Sequence, residues 1–149
     1  MAERPAPRRV RPAEPDDAGA LQRIYDEDGE GDFAALLAHG GGTPGTTHYV
    51  VESEGLVAAA FTLTRLGRLR PDGAPRVFLH EMKLHPLYRG VGMTEDVLAW
   101  LRDELGAGRD TEVLALTPQD HAPDSMARFG LTRSHHVHKW PIAPAQETS

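Results

Sequence analysis

The spacing of apolar residues changes several times along the chain, and each spacing predicts an element. Val10-Arg11-Pro12 reads as a short extended piece. Ala20, Leu21, Ile24 and Tyr25 then recur on one helical face, behind a start at Glu14-Pro15-Asp16-Asp17 that puts proline and acids in the first turn. This predicts a helix to about Asp26 with those four apolar residues as core contacts. Residues 32–39 predict a second short helix covering one edge of the sheet, ended by the loop glycines Gly40-Gly41-Gly42. From Thr47 the period becomes two: residues 48–53 and 56–64 predict antiparallel strands joined by a turn at Glu54-Gly55. Pro71-Asp72-Gly73 marks the next turn, and residues 76–84 predict a third strand.

Helical spacing returns over residues 92–105, where Val97, Leu98, Leu101 and Leu105 form an apolar stripe and Glu95, Arg102, Asp103 and Glu104 face out. The mostly apolar run Glu112 to Thr117 predicts a central strand covered on both faces, parallel to the third strand across a βαβ crossover. A weaker helix follows over residues 120–129, interrupted by Pro123, and residues 134–142 alternate as a last strand. The expected fold is α+β: a single domain over residues 10–142 in which an antiparallel meander and a βαβ crossover form a mixed sheet with flanking helices. Residues 1–9 and 143–149 are expected to be flexible tails.

With 149 residues, one domain and a real core are the expectation. The formal charge of −6 works against binding nucleic acid or an anionic membrane, so neither is expected as a partner, and a cationic or neutral substrate is easier to accommodate. The absence of cysteine excludes disulfides, thiolate metal sites and a cysteine nucleophile, and fits a cytoplasmic protein. No signal peptide or membrane span is legible.

Chemistry concentrates where the third predicted strand runs through a glycine turn into a helix, over Leu79-His80-Glu81-Met82-Lys83-Leu84-His85-Pro86-Leu87-Tyr88-Arg89-Gly90-Val91-Gly92-Met93-Thr94. A turn of that kind exposes backbone amides to an anion, phosphate above all. The loop holding Arg65, Arg68, Arg70 and Arg76 is either a solvated basic loop or a grip on phosphate. His136, His138 and Trp140 share one face of the last predicted strand, beside His135. Without a third ligand in view, a surface or cleft lining is preferred to a zinc or nickel site, and no metal residue is assigned.

The order of elements, together with Leu84-His85-Pro86 and Arg89-Gly90-Val91-Gly92-Met93-Thr94, resembles the GCN5-related N-acetyltransferase (GNAT) superfamily. Its phosphate loop reads arginine or glutamine, any, any, glycine, any, glycine or alanine. The resemblance covers nearly the whole of residues 10–142. It implies that backbone amides at Arg89, Gly90, Val91, Gly92, Met93 and Thr94 cradle the pyrophosphate of acetyl-CoA, the cosubstrate. The strand backbone at Met82 and Leu84 would hold the acetyl group and pantetheine arm in a gap left by the next strand. Gln119 takes the place of the family's asparagine.

The implied activity is direct transfer of an acetyl group to a primary amine of a small molecule or protein, and a homodimer is compatible with the resemblance. Glu81 is the implied base that takes the amine proton, with His80 and His85 as alternatives; the bland reading of Glu81 is an ion-pair partner of Lys83. Two departures stand out. Thr94 replaces the family's last small residue and is followed by Glu95-Asp96, whose charge repels a pyrophosphate unless the arginine loop compensates. Met126 occupies the position of the tyrosine that protonates the leaving thiolate, so Ser125 or water would substitute. The alternative function is a GNAT-fold CoA-binding or regulatory module that has lost catalysis.

Overall fold

The computed structural model describes residues 8–25, 33–38, 44–66, 76–89, 92–106, 112–116, 124–133 and 137–142. Its order is β1 (Arg8–Pro12), a 3-10 turn (Pro15–Asp17), α1 (Ala18–Tyr25), α2 (Phe33–Ala38), β2 (Thr46–Ser53), β3 (Leu56–Leu66), β4 (Arg76–Leu84), a 3-10 turn (Pro86–Tyr88), α3 (Met93–Gly106), β5 (Glu112–Ala115) and α4 (Asp124–Phe129). The strands form one sheet in the order β1-β2-β3-β4-β5, antiparallel except for β5, which runs parallel to β4. The mixed α+β architecture is therefore as the periodicity predicts.

The β2–β3 hairpin turns at Glu54 and Gly55, both at positive φ (54° and 79°). That is the two-residue turn whose twist matches the strands it joins. Alternation then sends Val50 and Ala60 to one face, where they meet Leu21 of α1 and Leu37 of α2. Phe61, Leu63, Val77 and Leu79 go to the other face, where Met93, Val97, Leu98 and Leu101 of α3 close the larger core. The α3 stripe read from the sequence is thus the buried one, with Leu105 partly buried at its end.

An ionic knot holds the N-terminal end. Arg11 of β1 donates both terminal nitrogens to the carboxylate of buried Asp17, at 2.7 and 2.8 Å, and its Nε to Glu52 of β2 at 2.9 Å. Asp17 also accepts the Glu14 amide at 2.7 Å, capping the 3-10 turn that leads into α1. The Arg11 hydrogen bonds hold the Asp17 carboxyl below its ordinary range, although burial pulls the other way.

Several expectations need correction. The first strand begins at Arg8, ahead of the boundary drawn at Val10, because Arg8 already pairs with Ser53. The strand expected to be central and doubly covered is β5, an edge of the described sheet, four residues long and nowhere fully buried. An apolar run signals that a strand is covered, but not how many neighbours it has. The last expected strand is absent over 137–142: these residues pair with nothing in the sheet, and Val137, Trp140 and Ile142 are 68%, 81% and 74% exposed. Pro141 lacks the N–H that a ladder needs, and alternation alone supplies no partner strand. Residues 134–136, with His135 and His136, lie outside the described residues, and His138 is exposed. The α4 helix starts only after Pro123. No helix among the described residues is long and apolar enough to cross a membrane.

Candidate functional site

Two inserted residues shape the site. On β3, Val51 pairs with Ala59 and Glu52 with Val57, so Ala58 is extra. On β4, Lys83 pairs with Ala60 and His80 with Thr62, so Glu81 and Met82 both lie across from Phe61. Glu81 absorbs that bulge at φ 53°, a left-handed conformation unusual for a residue with a Cβ. Backbone strain at a carboxylate is a pointer to function.

Backbone direction on β4 follows from hydrogen bonding. The His85 amide donates to the Ala58 carbonyl at 2.8 Å, so alternation turns the backbone groups of Met82 and Leu84 away from β3. On that side the described pairing with β5 ends at Leu79, whose carbonyl accepts the Leu116 amide at 2.8 Å. Among the described residues nothing pairs with Met82 and Leu84 on that side, and their backbone donors and acceptors could receive an extended ligand as if it were another strand.

Beyond this edge, His85 accepts the Leu87 amide on Nδ1 at 3.2 Å and caps the short 3-10 turn. The Arg89 amide closes that turn on the Pro86 carbonyl at 3.4 Å, leaving its exposed side chain as the group available to an anion. Gly92 lies at φ 79° and its carbonyl accepts the Asp96 amide at 3.1 Å, so the α3 helix starts there. As in any helix start, the amides of Met93, Thr94 and Glu95 lack intrahelical partners. The Met93 side chain is buried in the core, so only its backbone can face a ligand. Gly90, Val91 and Gln119 lie outside the described residues, as does the Ser125 side chain on α4.

Glu95 and Asp96 are less repulsive than their sequence suggests, since each has an arginine partner. Arg128 of α4 reaches Glu95 at 3.4 Å, and Arg8 of β1 pairs with Asp96. Of the arginine loop expected to compensate, Arg68 and Arg70 lie outside the described residues, and Arg76 stands 3.9 Å from Glu112.

On the sheet face beneath α1 and α2, a cavity of about 470 Å³ reaches the bulge. Leu21, Gln22, Tyr25, Phe33 and Leu37 form its helical wall, and His48, Thr62, Glu81 and Lys83 supply polar groups from the strands. The Tyr25 hydroxyl donates to the Glu81 backbone carbonyl, pinning the bulge to the end of α1. Burial pushes the Tyr25 hydroxyl far above its ordinary pKa, and the Glu81 charge adds to this, so it stays protonated as a donor. Thr62, almost wholly buried, donates to Glu81 Oε2 over a long 3.4 Å and contacts His48 Nδ1 at 2.8 Å. With its single hydrogen directed to Glu81, the hydroxyl oxygen accepts from the His48 Nδ1–H.

Of the alternatives to Glu81, His80 is engaged with Thr64 at 2.8 Å and His85 with its cap. Met126 is packed against the larger core. Sequence reasoning missed Tyr25, His48 and Thr62 as site residues. The available signal was the placement of polar His48 and Thr62 in strands whose neighbours on the same face, Val50 and Ala60, are apolar.

The sequence matches no protein-family model and no curated protein. The fold does match solved structures. A transcriptional regulator from Bacillus halodurans superposes with a TM-score of 0.76 at 14% identity, over 91% of this chain and 100% of that one. A putative acetyltransferase from Agrobacterium tumefaciens gives 0.70 at 22% identity, over 90% and 99%. An aminoglycoside N-acetyltransferase in complex with CoA gives 0.70 at 14% identity, over 95% and 99%. Together with the open β4 edge and the glycine turn into α3, these likenesses show that the chain has the fold of the GNAT superfamily.

Proposed function

We propose that the protein is an acetyl-CoA-dependent N-acetyltransferase in which Glu81 takes the proton from a primary amine. The observation that carries this reading is the position of Glu81, on a strained bulge between the open β4 edge and the cavity. Acetyl-CoA would supply the acetyl group as a thioester. The residues present fit it: Met82 and Leu84 offer backbone groups that no other described residue pairs with on the β5 side, and Gly92, Met93 and Thr94 offer the helix start. The exposed Arg89 side chain adds a cation beside that start. Arg8 and Arg128 offset the two acids that would otherwise oppose a pyrophosphate.

An amine attacks a carbonyl only when neutral, so an ammonium arriving in the cavity must lose a proton. Glu81 accepts that proton directly or through one water, and Thr62, itself held by His48, keeps the carboxylate oriented. The amine nitrogen would bond to the acetyl carbon as the carbon–sulfur bond breaks, and the second proton that the acylated nitrogen sheds would pass to the leaving thiolate to give the CoA thiol. Met126 cannot protonate the thiolate, and Ser125 or water takes that part. The test is release of free CoA on mixing enzyme, acetyl-CoA and amine. Glu81→Gln should slow it at least tenfold near neutral pH with the fold unchanged, and wild-type rates in that variant remove Glu81 from the reaction.

A further inference from the structure

We infer that two copies of this chain dock reciprocally, with Trp140 and Ile142 of each copy seated in an apolar groove of the other. The inference does not depend on the acetyltransferase reading. The groove, about 250 Å³ in volume, lies between α3, β5 and the end of α4. Among the described residues its walls are Leu98, Leu101 and Leu105 of α3, Val113 of β5, and Phe129 and Leu131. Its edge is preformed. The Leu131 amide donates to the Met126 carbonyl at 3.0 Å and the Gly130 amide to the Ala127 carbonyl at 3.1 Å, with Gly130 at φ 107°. That is the paired C-terminal cap of a helix, and it fixes Leu131 beside α4. The Arg102 guanidinium lies over the Phe129 ring, 5.5 Å from its centre, and ties α3 to α4 there. The volume falls below the roughly 300–1,000 Å³ usual for small-molecule sites and suits one or two side chains.

The same chain carries a matching segment. Val137, Trp140 and Ile142 are all exposed, three large apolar side chains within six residues that form no strand. Pro141 offers no amide, so the segment docks by its side chains rather than as another strand. Proline also keeps the residue before it extended, which puts Trp140 and Ile142 on one side about 7 Å apart. Leu101 and Leu105, one turn apart along the groove, stand about 6 Å apart. Charge agrees with this pairing. The last turn of α3 holds no basic residue, and Asp103 and Glu104 are exposed there. Those acids and the negative end of the helix favour a cation, and exposed Lys139 directly precedes Trp140. Within one copy the segment stands in solvent rather than in its own groove. Reciprocal docking about a twofold axis covers two segments and two grooves and leaves neither to recruit a third copy.

Four large side chains make a modest interface, so sedimentation velocity on the full chain should show a reversible monomer–dimer equilibrium with a Kd of about 1–100 µM. Trp140→Ser, at a position 81% exposed in one copy, should keep the circular dichroism of the wild type and raise that Kd at least tenfold. A chain that stays monomeric throughout, or a dimer indifferent to Trp140→Ser, overturns the docking. The chain has no cysteine, so engineered thiols report contact cleanly. An Ile142→Cys chain mixed with an Arg102→Cys chain should give, on mild oxidation, a disulfide heterodimer on a non-reducing gel, and this decides the matter even if Trp140→Ser fails to fold. No heterodimer overturns the docking. So does a double variant whose two thiols close within one chain at concentrations where the dimer predominates, because the segment then occupies its own groove.

Discussion

Glu81 sits at φ 53° in the middle of a strand edge, where an L-residue is strained, and replacing it by glycine separates fold from function. Relief of the left-handed conformation is worth about 1–2 kcal/mol. Against this stands about 0.5–1 kcal/mol for the greater freedom of glycine in the unfolded chain. The bond to Thr62, long at 3.4 Å, contributes at the low end of the roughly 0.5–1.5 kcal/mol of an ordinary hydrogen bond. The pinning bond from Tyr25 goes to the backbone carbonyl and survives the change. Glu81→Gly should therefore lie between about 0.5 kcal/mol less and about 1 kcal/mol more stable, a Tm change of about −2 to +4 °C for a chain of this size. Lys83→Gly, two positions along the same strand and outside the positive-φ set, should instead lose about 0.5–1 kcal/mol or more. Differential scanning fluorimetry on both variants, with CoA release measured in parallel, reads the comparison. The expected pattern is a Tm within that range with activity lost in Glu81→Gly. A Tm that falls as far as that of Lys83→Gly refutes the strain at the bulge.

Thr62→Val keeps the shape but removes the hydroxyl joining His48 to Glu81; a loss of about 1 kcal/mol of orientation should lower kcat roughly fivefold with little change in KM for acetyl-CoA. Arg128→Glu puts a like charge beside Glu95 and should raise KM for acetyl-CoA about two- to fivefold at low salt, fading as salt is added, with kcat unchanged. Asp17→Asn loosens the Arg11 knot and should cost about 2–3 kcal/mol in urea melts. Because the folded Asp17 carboxyl lies below its ordinary value, its contribution is whole above the unfolded value of about 4 and is lost as pH falls through the lower folded value. The difference between wild type and Asp17→Asn should accordingly shrink only in acid below about pH 4, and a difference already gone at pH 6 removes the ion pair as its source.

The chain itself determined whatever depends on neighbours a few residues apart. Glu54-Gly55 specified the hairpin turn, the stripe Val97, Leu98, Leu101 specified which face of α3 is buried, and Gly92 specified the turn that starts that helix. From these the mixed sheet was legible. Tertiary structure decided what lies across from what. A two-residue turn pairing Ser53 with Leu56 would, without the extra Ala58, set His48 opposite Phe61; the bulge sets it opposite Thr62 instead. A second inserted residue turned Glu81 into a left-handed position, where its carbonyl meets Tyr25 from a helix more than fifty residues earlier. The same limit explains the last expected strand, since 137–142 alternate with no partner among the described residues. Periodicity assigns each side chain to a face only until a residue is inserted. Where an insertion is tolerated depends on contacts between segments remote in sequence, and a pattern along one segment does not contain them.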